Sequence, residues 1–258
     1  MPHVITLLTD FGTTDAYVGI VKGVLFARAP EVRVVDLVHA AESGSLYAAA
    51  YLLMSAYPYF PPGTVHLVLT DPSAAPNRRI IAGHVEGHYI VAPDNGVAAP
   101  LLDEHPPAAM ISVENDRFLL EARRHTFHSR LIYAPAAAAL ATGVRLEELG
   151  PPLSSWTTLH RALASVESNR NVAGEVVHID RFGNLVTNIH GSQLPARPRI
   201  TVGSTVIDRV SDHYGEVEAG GVLAVIGSTG KLEISINRAS AAKKLFVSRT
   251  DPVHVDAG

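Results

Sequence analysis

Short apolar runs alternate with longer stretches of helical periodicity along the first half of the chain. Runs rich in β-branched residues predict strands at residues 4–9, 32–37, 65–70 and 88–93. Residues 16–29 and 45–57 place apolar side chains at helical spacing and predict helices. Further strands are expected at residues 110–113 and 118–120, and an alanine-rich helix at 131–140. Alternating strands and helices are typical of a parallel sheet covered by helices.

The pattern changes after Gly150, Pro151 and Pro152. Short strands are then expected without long helices between them, at residues 175–179, 200–202, 205–207, 222–226 and 232–236. The predicted fold is an N-terminal three-layer α/β domain with a mainly parallel sheet (residues 1–152), a linker (153–172) and a smaller C-terminal all-β, barrel-like domain (173–258).

Composition narrows the classes of function. Of 258 residues, 47% are hydrophobic and 18% are charged, as expected of a chain with a substantial core. The net charge of −4 argues against nucleic acid as a partner, because phosphate binding needs a basic face. The absence of cysteine excludes disulfides and thiolate catalysis. We find no signal-peptide or membrane-span pattern and expect a cytoplasmic protein.

Carboxylates follow two of the predicted strands. Asp10 ends the first strand and Asp71 ends the run at 65–70. In open α/β sheets, ligands bind beyond the carboxyl ends of the strands, so both side chains are candidates for a site. Arg78 follows Asp71 by seven residues across one short loop and can converge on the same point. From spacing alone, Asp71 can equally be a turn former with a surface arginine beyond it.

Two other segments carry candidate chemistry. His128 and Ser129 precede the alanine-rich helix and are interpreted as the edge of a site; His125 gives a metal-like spacing, but no third ligand nearby supports zinc. In the second half, Phe182 and Asn184 can hold a purine by stacking and by amide hydrogen bonds. The alternatives there are an ordinary hairpin turn and, around residues 237–240, a helix cap.

Several motifs together resemble one family. They are Thr9-Asp10-Phe11-Gly12-Thr13-Thr14-Asp15, Asp71-Pro72 with Arg78-Arg79, Ala92-Pro93-Asp94-Asn95-Gly96, Thr126-Phe127-His128-Ser129-Arg130, Asp180-Arg181-Phe182-Gly183-Asn184 with Thr187-Asn188-Ile189, and Leu232-Glu233-Ile234 with Asn237-Arg238. In order and spacing they resemble the S-adenosyl-L-methionine (SAM) hydrolase (adenosine-forming) family, also called SAM hydroxide adenosyltransferases. The resemblance covers nearly the whole chain and extends to the related fluorinase and chlorinase.

The resemblance implies an α/β domain plus a β-barrel, assembled as a homotrimer with SAM bound between subunits. SAM is then the substrate, and no cofactor or metal is expected. The catalytic triad of the family falls on Asp71, Arg78 and His128. The resemblance places the remaining substrate contacts as follows: the ribose at Asp10, the adenine at Phe182 and Asn184, the methionine end at Asp15, Asp180, Asn237 and Arg238, and a further contact at Ser129.

The implied chemistry suits these residue types. Water must attack C5′ of the ribose while the sulfonium departs as methionine, without a general acid. Neutral water is a weak nucleophile with a pKa of about 15.7, so a base has to favour removal of its proton. Either Asp71 or His128 can be that base, while Arg78 stabilises developing hydroxide or holds Asp71 in place.

The sequence departs from the hydrolases at two places. Ser73-Ala74-Ala75-Pro76 replaces a glycine-rich loop, and Ser129-Arg130-Leu131 replaces Gly-Arg-Asp. The fluorinase has a halide-contacting serine matching Ser129, but it lacks the aspartate and histidine that match Asp71 and His128. The complete triad therefore favours hydrolysis. A SAM-dependent halogenase and a non-catalytic binder of SAM or adenosine are the alternative hypotheses.

Overall fold

The computed structural model describes residues 4–41, 45–71, 79–120, 127–159, 164–166 and 171–258. The chain divides into two compact units, Met1–Leu159 and His160–Gly258. Within the first unit, Leu153 and Trp156 pack against a hydrophobic core cluster, although both fall in the segment predicted as a linker. Among the described residues, no helix is both long and apolar enough to cross a membrane.

The first unit is built on a mainly parallel sheet, as predicted. Its strands are β1 (Val4–Thr9), β2 (Arg33–Val38), β3 (Val65–Leu69), β4 (Ile80–Val85), β5 (His88–Pro93) and β6 (Ala109–Ser112). The described strands lie in the order β2-β1-β3-β5-β4-β6. Neighbours from β2 to β5 run parallel, whereas β4 runs antiparallel to both β5 and β6.

Helices cover both faces of this sheet. They are α1 (Tyr17–Arg28), α2 (Leu46–Ala56), α3 (Ala99–Glu104) and α4 (Ala134–Ala141). Leu7 of β1 belongs to the core cluster that contains α1 and α4, whereas the next residue, Leu8, belongs to the cluster that contains α2 and α3. Successive side chains of a strand point to opposite faces, so the alternation produces the expected three layers.

Some local predictions for this unit were wrong. Residues Asp116–Phe118 form a 3₁₀ helix where a strand was expected, because the Asn115 side chain accepts a hydrogen bond from the backbone N–H of Arg117 at 3.1 Å. The six-residue helix α3 was missed. Helix α1 begins after Ala16 without a side-chain cap hydrogen bond.

The second unit is all-β and barrel-like, as predicted. Its strands are β7 (Ser165–Val166), β8 (Val172–Ile179), β9 (Leu185–His190), β10 (Pro198–Val202), β11 (Thr205–Ile207), β12 (Val210–Ser211), β13 (Val222–Ile226), β14 (Lys231–Ile236) and β15 (Pro252–Ala257). The order is β11-β10-β15-β8-β9-β14-β13-β12, with β7 beside β8. Because β11 also contacts β13, the sheet curls into a nearly closed barrel. A short helix, α5 (Ala241–Leu245), follows β14.

Candidate functional site

The carboxyl ends of β1 and β3 meet at one edge of the first sheet. These strands are parallel, and Thr9 pairs in register with Leu69. Asp10 and Asp71 follow within two residues of that pair, and both are half-buried. The structure therefore brings these two predicted carboxylates to the same edge. Arg78, their predicted partner, lies outside the described residues.

Three aromatic rings connect the Asp10 segment with the His128 segment. Phe11 lies 5.9 Å from Tyr17 and 6.4 Å from Phe127, and the rings of Tyr17 and Phe127 are 5.3 Å apart, measured between centroids. Phe11 directly follows Asp10, and Phe127 directly precedes His128. The cluster thus holds two segments with predicted site residues against each other, although they are far apart in sequence.

The backbone around His128 has unusual geometry. Phe127 adopts φ of 54°, a left-handed conformation that is uncommon for an aromatic residue. A five-residue π-helix, Ser129–Tyr133, then leads into α4. Left-handed non-glycine residues and π-helical turns both concentrate at functional sites. His128 and Ser129 are half-buried at the start of this segment. His125, the partner in the metal-like spacing, lies outside the described residues.

A series of polar side-chain contacts starts at Thr9, the residue before Asp10. The Thr9 hydroxyl lies 3.1 Å from Nδ1 of His39, whose Nε2 is 3.0 Å from Asp36. Lys22 pairs with the same carboxylate at 2.6 Å. Burial raises the pKa of Asp36, but the hydrogen bonds from Lys22 and His39 outweigh it, so the pKa lies below its usual value. These contacts link Thr9 at the end of β1, directly before Asp10, to Asp36 on β2.

Asp94 and Asn95 have structural roles in the turn after β5. Asp94 accepts a hydrogen bond from Nε of Arg79 at 2.6 Å and another from the backbone N–H of Thr157 at 2.7 Å. Asn95 donates to the carbonyl oxygen of Thr70 at 3.0 Å, which ties the end of β5 to the end of β3. The turn therefore braces the end of the strand that leads to Asp71.

The second unit contains a cavity of about 570 Å³. That volume falls within the range of small-molecule sites, roughly 300–1,000 Å³. Every site residue predicted in this unit lines it: Asp180, Phe182, Asn184, Asn237 and Arg238. Four further residues, none of them predicted as a site residue, also line it: Tyr214, Ile236, Ala239 and Ser240.

Asp180 organises the turn that presents Phe182 and Asn184. Its Oδ1 accepts hydrogen bonds from the backbone N–H groups of Phe182 and Asn184, both at 2.9 Å, and its Oδ2 accepts from Nδ2 of Asn184 at 2.8 Å. One amide hydrogen of Asn184 is thereby committed to Asp180. Phe182 is 77% exposed, so its side chain is accessible from solvent.

Close packing shapes the rest of the cavity wall. Gly183 has φ of 86°, and a Cβ there would lie 2.0 Å from the hydroxyl of Ser240, so only glycine fits. Ser240 caps α5 by accepting a hydrogen bond from the N–H of Lys243 at 3.2 Å, which confirms the predicted helix cap. Arg238 adopts a left-handed φ of 61° in the tight turn between β14 and α5. Non-glycine residues in this left-handed region cluster at functional sites in proteins.

The predicted site residues thus fall into two groups. Asp10, Asp15, Asp71, His128 and Ser129 belong to the first unit, where Asp15 lies exposed in the segment before α1. The cavity residues belong to the second unit. Within the described parts of the chain, no group of three or more His, Asp or Glu side chains is arranged to hold a metal ion.

Two family models match this two-unit chain. The SAM hydroxide adenosyltransferase N-terminal domain matches residues 5–150, and the C-terminal domain of the same family matches residues 174–254. The chain belongs to the SAM hydroxide adenosyltransferase family. The predicted family assignment is therefore confirmed, and the matched segments cover both groups of candidate residues.

Individual members of the SAM hydroxide adenosyltransferase family and its relatives match over nearly full length. A protein of Thermus thermophilus named (R)-S-adenosyl-L-methionine hydrolase is 40% identical over 96% of this chain and 97% of its own. A crystal structure of an uncharacterised protein from Thermotoga maritima superimposes with a TM-score of 0.91 at 33% identity, covering 98% of this chain and 99% of that one. A fluorinase of Nocardia brasiliensis is more distant, at 27% identity over 99% of this chain and 97% of its own.

Proposed function

We propose that this protein hydrolyses S-adenosyl-L-methionine to adenosine and L-methionine. The observation that carries the proposal is the cavity of the second unit, because every adenosine- or methionine-binding position assigned to that unit lines it. The hydrolase of Thermus thermophilus, at 40% identity, supports hydrolysis over halogenation, since the fluorinase relative is 27% identical.

The reaction is a direct displacement at the ribose. The oxygen of water attacks C5′ in line with the C5′–S bond, which breaks with its electron pair going to sulfur. The water proton passes to Asp71 or His128, and Arg78 stabilises the developing hydroxide or holds Asp71 in place. A positioned base contributes roughly 10²–10⁴ in rate, and alignment in a water-poor site contributes further. The sulfonium is already an activated leaving group, so methionine departs without a general acid.

The substrate contacts divide between the two units. We assign the ribose hydroxyls to Asp10, the adenine face to Phe182 and the adenine edge to Asn184. The methionine end is assigned to Asp15, Asp180, Asn237 and Arg238, and Ser129 is placed beside the attacking water. In a homotrimer, the first unit of one subunit and the second unit of its neighbour would complete each site. The protein is expected to act in the cytoplasm.

The configuration at sulfur is a further part of the proposal. The relative from Thermus thermophilus is named a hydrolase of the (R) form of SAM. The sulfonium of SAM is a stereocentre, and in-line attack requires a defined direction for the C5′–S bond. We therefore expect the two sulfonium epimers to be hydrolysed at different rates, with the (R) epimer preferred.

The test is a chromatographic assay of the purified chain with each SAM epimer, in chloride-free buffer and again with added chloride. Asp71→Ala and His128→Ala are compared with His254→Ala, which changes an exposed histidine on β15. We expect adenosine and methionine in equal amounts, independent of chloride and lost in the first two variants only. A halogenated nucleoside would support the halogenase, and SAM binding without turnover would support a sensor; either result would overturn the proposal.

A further inference from the structure

Glu233 is a buried carboxylate beside the cavity that no part of the mechanism uses. It lies on β14 and is only 8% exposed. Its neighbours in the sequence, Leu232 and Ile234, belong to the barrel core, so Glu233 points to the opposite face. The residues paired with it on the adjacent strands are apolar, Val186 on β9 and Val225 on β13. A buried charge in such surroundings needs a specific partner.

The phenol of Tyr214 provides that partner. Its hydroxyl donates a hydrogen bond to Oε2 of Glu233 at 3.1 Å. Tyr214 is also one of the residues that line the cavity. The bond joins residues 19 positions apart and connects the side chain of a sheet strand to a ring on the cavity wall.

The backbone leaves room for this carboxylate. A Cβ on Gly227 would lie 1.8 Å from Oε1 of Glu233, so any larger residue at position 227 would displace the carboxyl group. Burial raises the pKa of Glu233, the Tyr214 hydrogen bond lowers it, and the charge of Asp180 raises it. Glu233 is therefore linked to the cavity by a hydrogen bond to one lining residue and by its charge to another.

We propose that Glu233 is a positioning residue for nucleoside binding: it holds the Tyr214 phenol and thereby fixes the ring that lines the cavity. This inference rests on the proposed function, because the nucleoside is the adenosine moiety of SAM. A ring that is already fixed loses less conformational freedom when a base packs on it. The hydrogen bond between Tyr214 and Glu233 therefore contributes to affinity, although neither side chain contacts the reacting atoms.

The experiment measures adenosine and SAM binding by calorimetry for the full chain and its variants. Tyr214→Phe and Glu233→Leu both remove the hydrogen bond, whereas Glu233→Gln keeps an acceptor oxygen. We expect Kd for adenosine to rise about three- to tenfold in the first two and to stay within about twofold of wild type in Glu233→Gln. The double variant Tyr214→Phe/Glu233→Leu should bind no more weakly than the weaker single variant.

Matched controls and kinetics separate positioning from stability. Tyr59→Phe and Glu218→Leu change exposed residues outside the cavity and should leave Kd unchanged. In turnover, Tyr214→Phe, which removes a single oxygen atom, should raise KM and leave kcat within about twofold. Gly227→Ala should reproduce the effect of Glu233→Leu.

The possible results are distinguishable. Wild-type chain that binds neither adenosine nor SAM would overturn the proposed function together with this inference. Wild-type binding that is equally tight in Tyr214→Phe and Glu233→Leu would overturn this inference alone. Loss of affinity in Glu233→Gln equal to that in Glu233→Leu would also contradict it, because the acceptor oxygen would then not be what matters.

Discussion

In the first unit, Asp10 and Asp71 reach one edge because two parallel strands end there in register, with Thr9 opposite Leu69. In the second unit, the cavity wall comes from turns and strand ends between residues 180 and 240. Sheet topology places the first group, whereas local backbone geometry and long-range side-chain bonds build the second. We infer a division of labour in which the first unit activates water and holds the ribose, and the second unit recognises the adenine.

The largest effect is expected for a substitution in the first unit that lowers the turnover rate without changing the affinity for adenosine. His128→Ala should lower kcat by roughly 10²–10⁴, the contribution of a positioned base or of a group that orients one. Because His128 is assigned no contact with adenosine, Kd for adenosine should stay within about threefold. Rapid-quench turnover and calorimetry on the same protein preparation check both values. If His128→Ala lost kcat and adenosine affinity to a similar extent, the two units would not have separate roles.

Acid should weaken the first unit through His66. This residue is 1% exposed and contacts Thr6 at 2.8 Å and His88 at 3.3 Å. Burial, and the nearby His88, lower its pKa from 6.5 to about 3. Between these values the unfolded chain binds the proton and the folded chain does not. The free energy of unfolding therefore falls as pH decreases, by about 1.4 kcal/mol per pH unit for this one group.

Fluorescence of Trp156, the single tryptophan, measures this effect because the residue packs in the first unit. Urea unfolding followed at pH 7 and pH 4.5 should show a smaller pH dependence in His66→Gln than in wild type. His254→Gln, which changes an exposed histidine in the second unit, is the control. An unchanged pH dependence in His66→Gln would show that other groups cause the acid sensitivity.

A smaller effect is expected at the stacking surface of the second unit. Phe182→Ala should weaken adenosine binding by about 1–3 kcal/mol, the usual range for an aromatic ring that stacks on a base. Phe246→Ala is the matched control, since Phe246 is 91% exposed and does not line the cavity. Equal affinities for the two variants would contradict the assignment of adenine to Phe182.

The two units differ in how much of the candidate site could be predicted from the sequence. Asp10 and Asp71 were predictable because apolar runs mark the strands and parallel strands share an edge. The residues of the cavity were identified through motifs, but their grouping depends on bonds such as those of Asp180 with Asn184. Tyr214 was missed, and Glu233 belonged to a family motif but was given no role, because no local pattern links two residues 19 positions apart.

Short and irregular elements account for the other misses. Helix α3 has six residues, too few for helical periodicity to emerge. The two-residue strands β7 and β12 carry no alternation at all. The π-helix Ser129–Tyr133 depends on how its side chains pack, and a 3.6-residue pattern does not distinguish it from an ordinary helix.

In the proposed reaction, water activated in the first unit attacks C5′ of SAM. Turnover in H₂¹⁸O, followed by mass spectrometry of both products, identifies the oxygen that enters and the bond that breaks. We expect one ¹⁸O atom in the 5′-hydroxyl of adenosine and none in methionine. Unlabelled adenosine, or label carried by the amino-acid product, would contradict it, because the broken bond or the nucleophile would then be different.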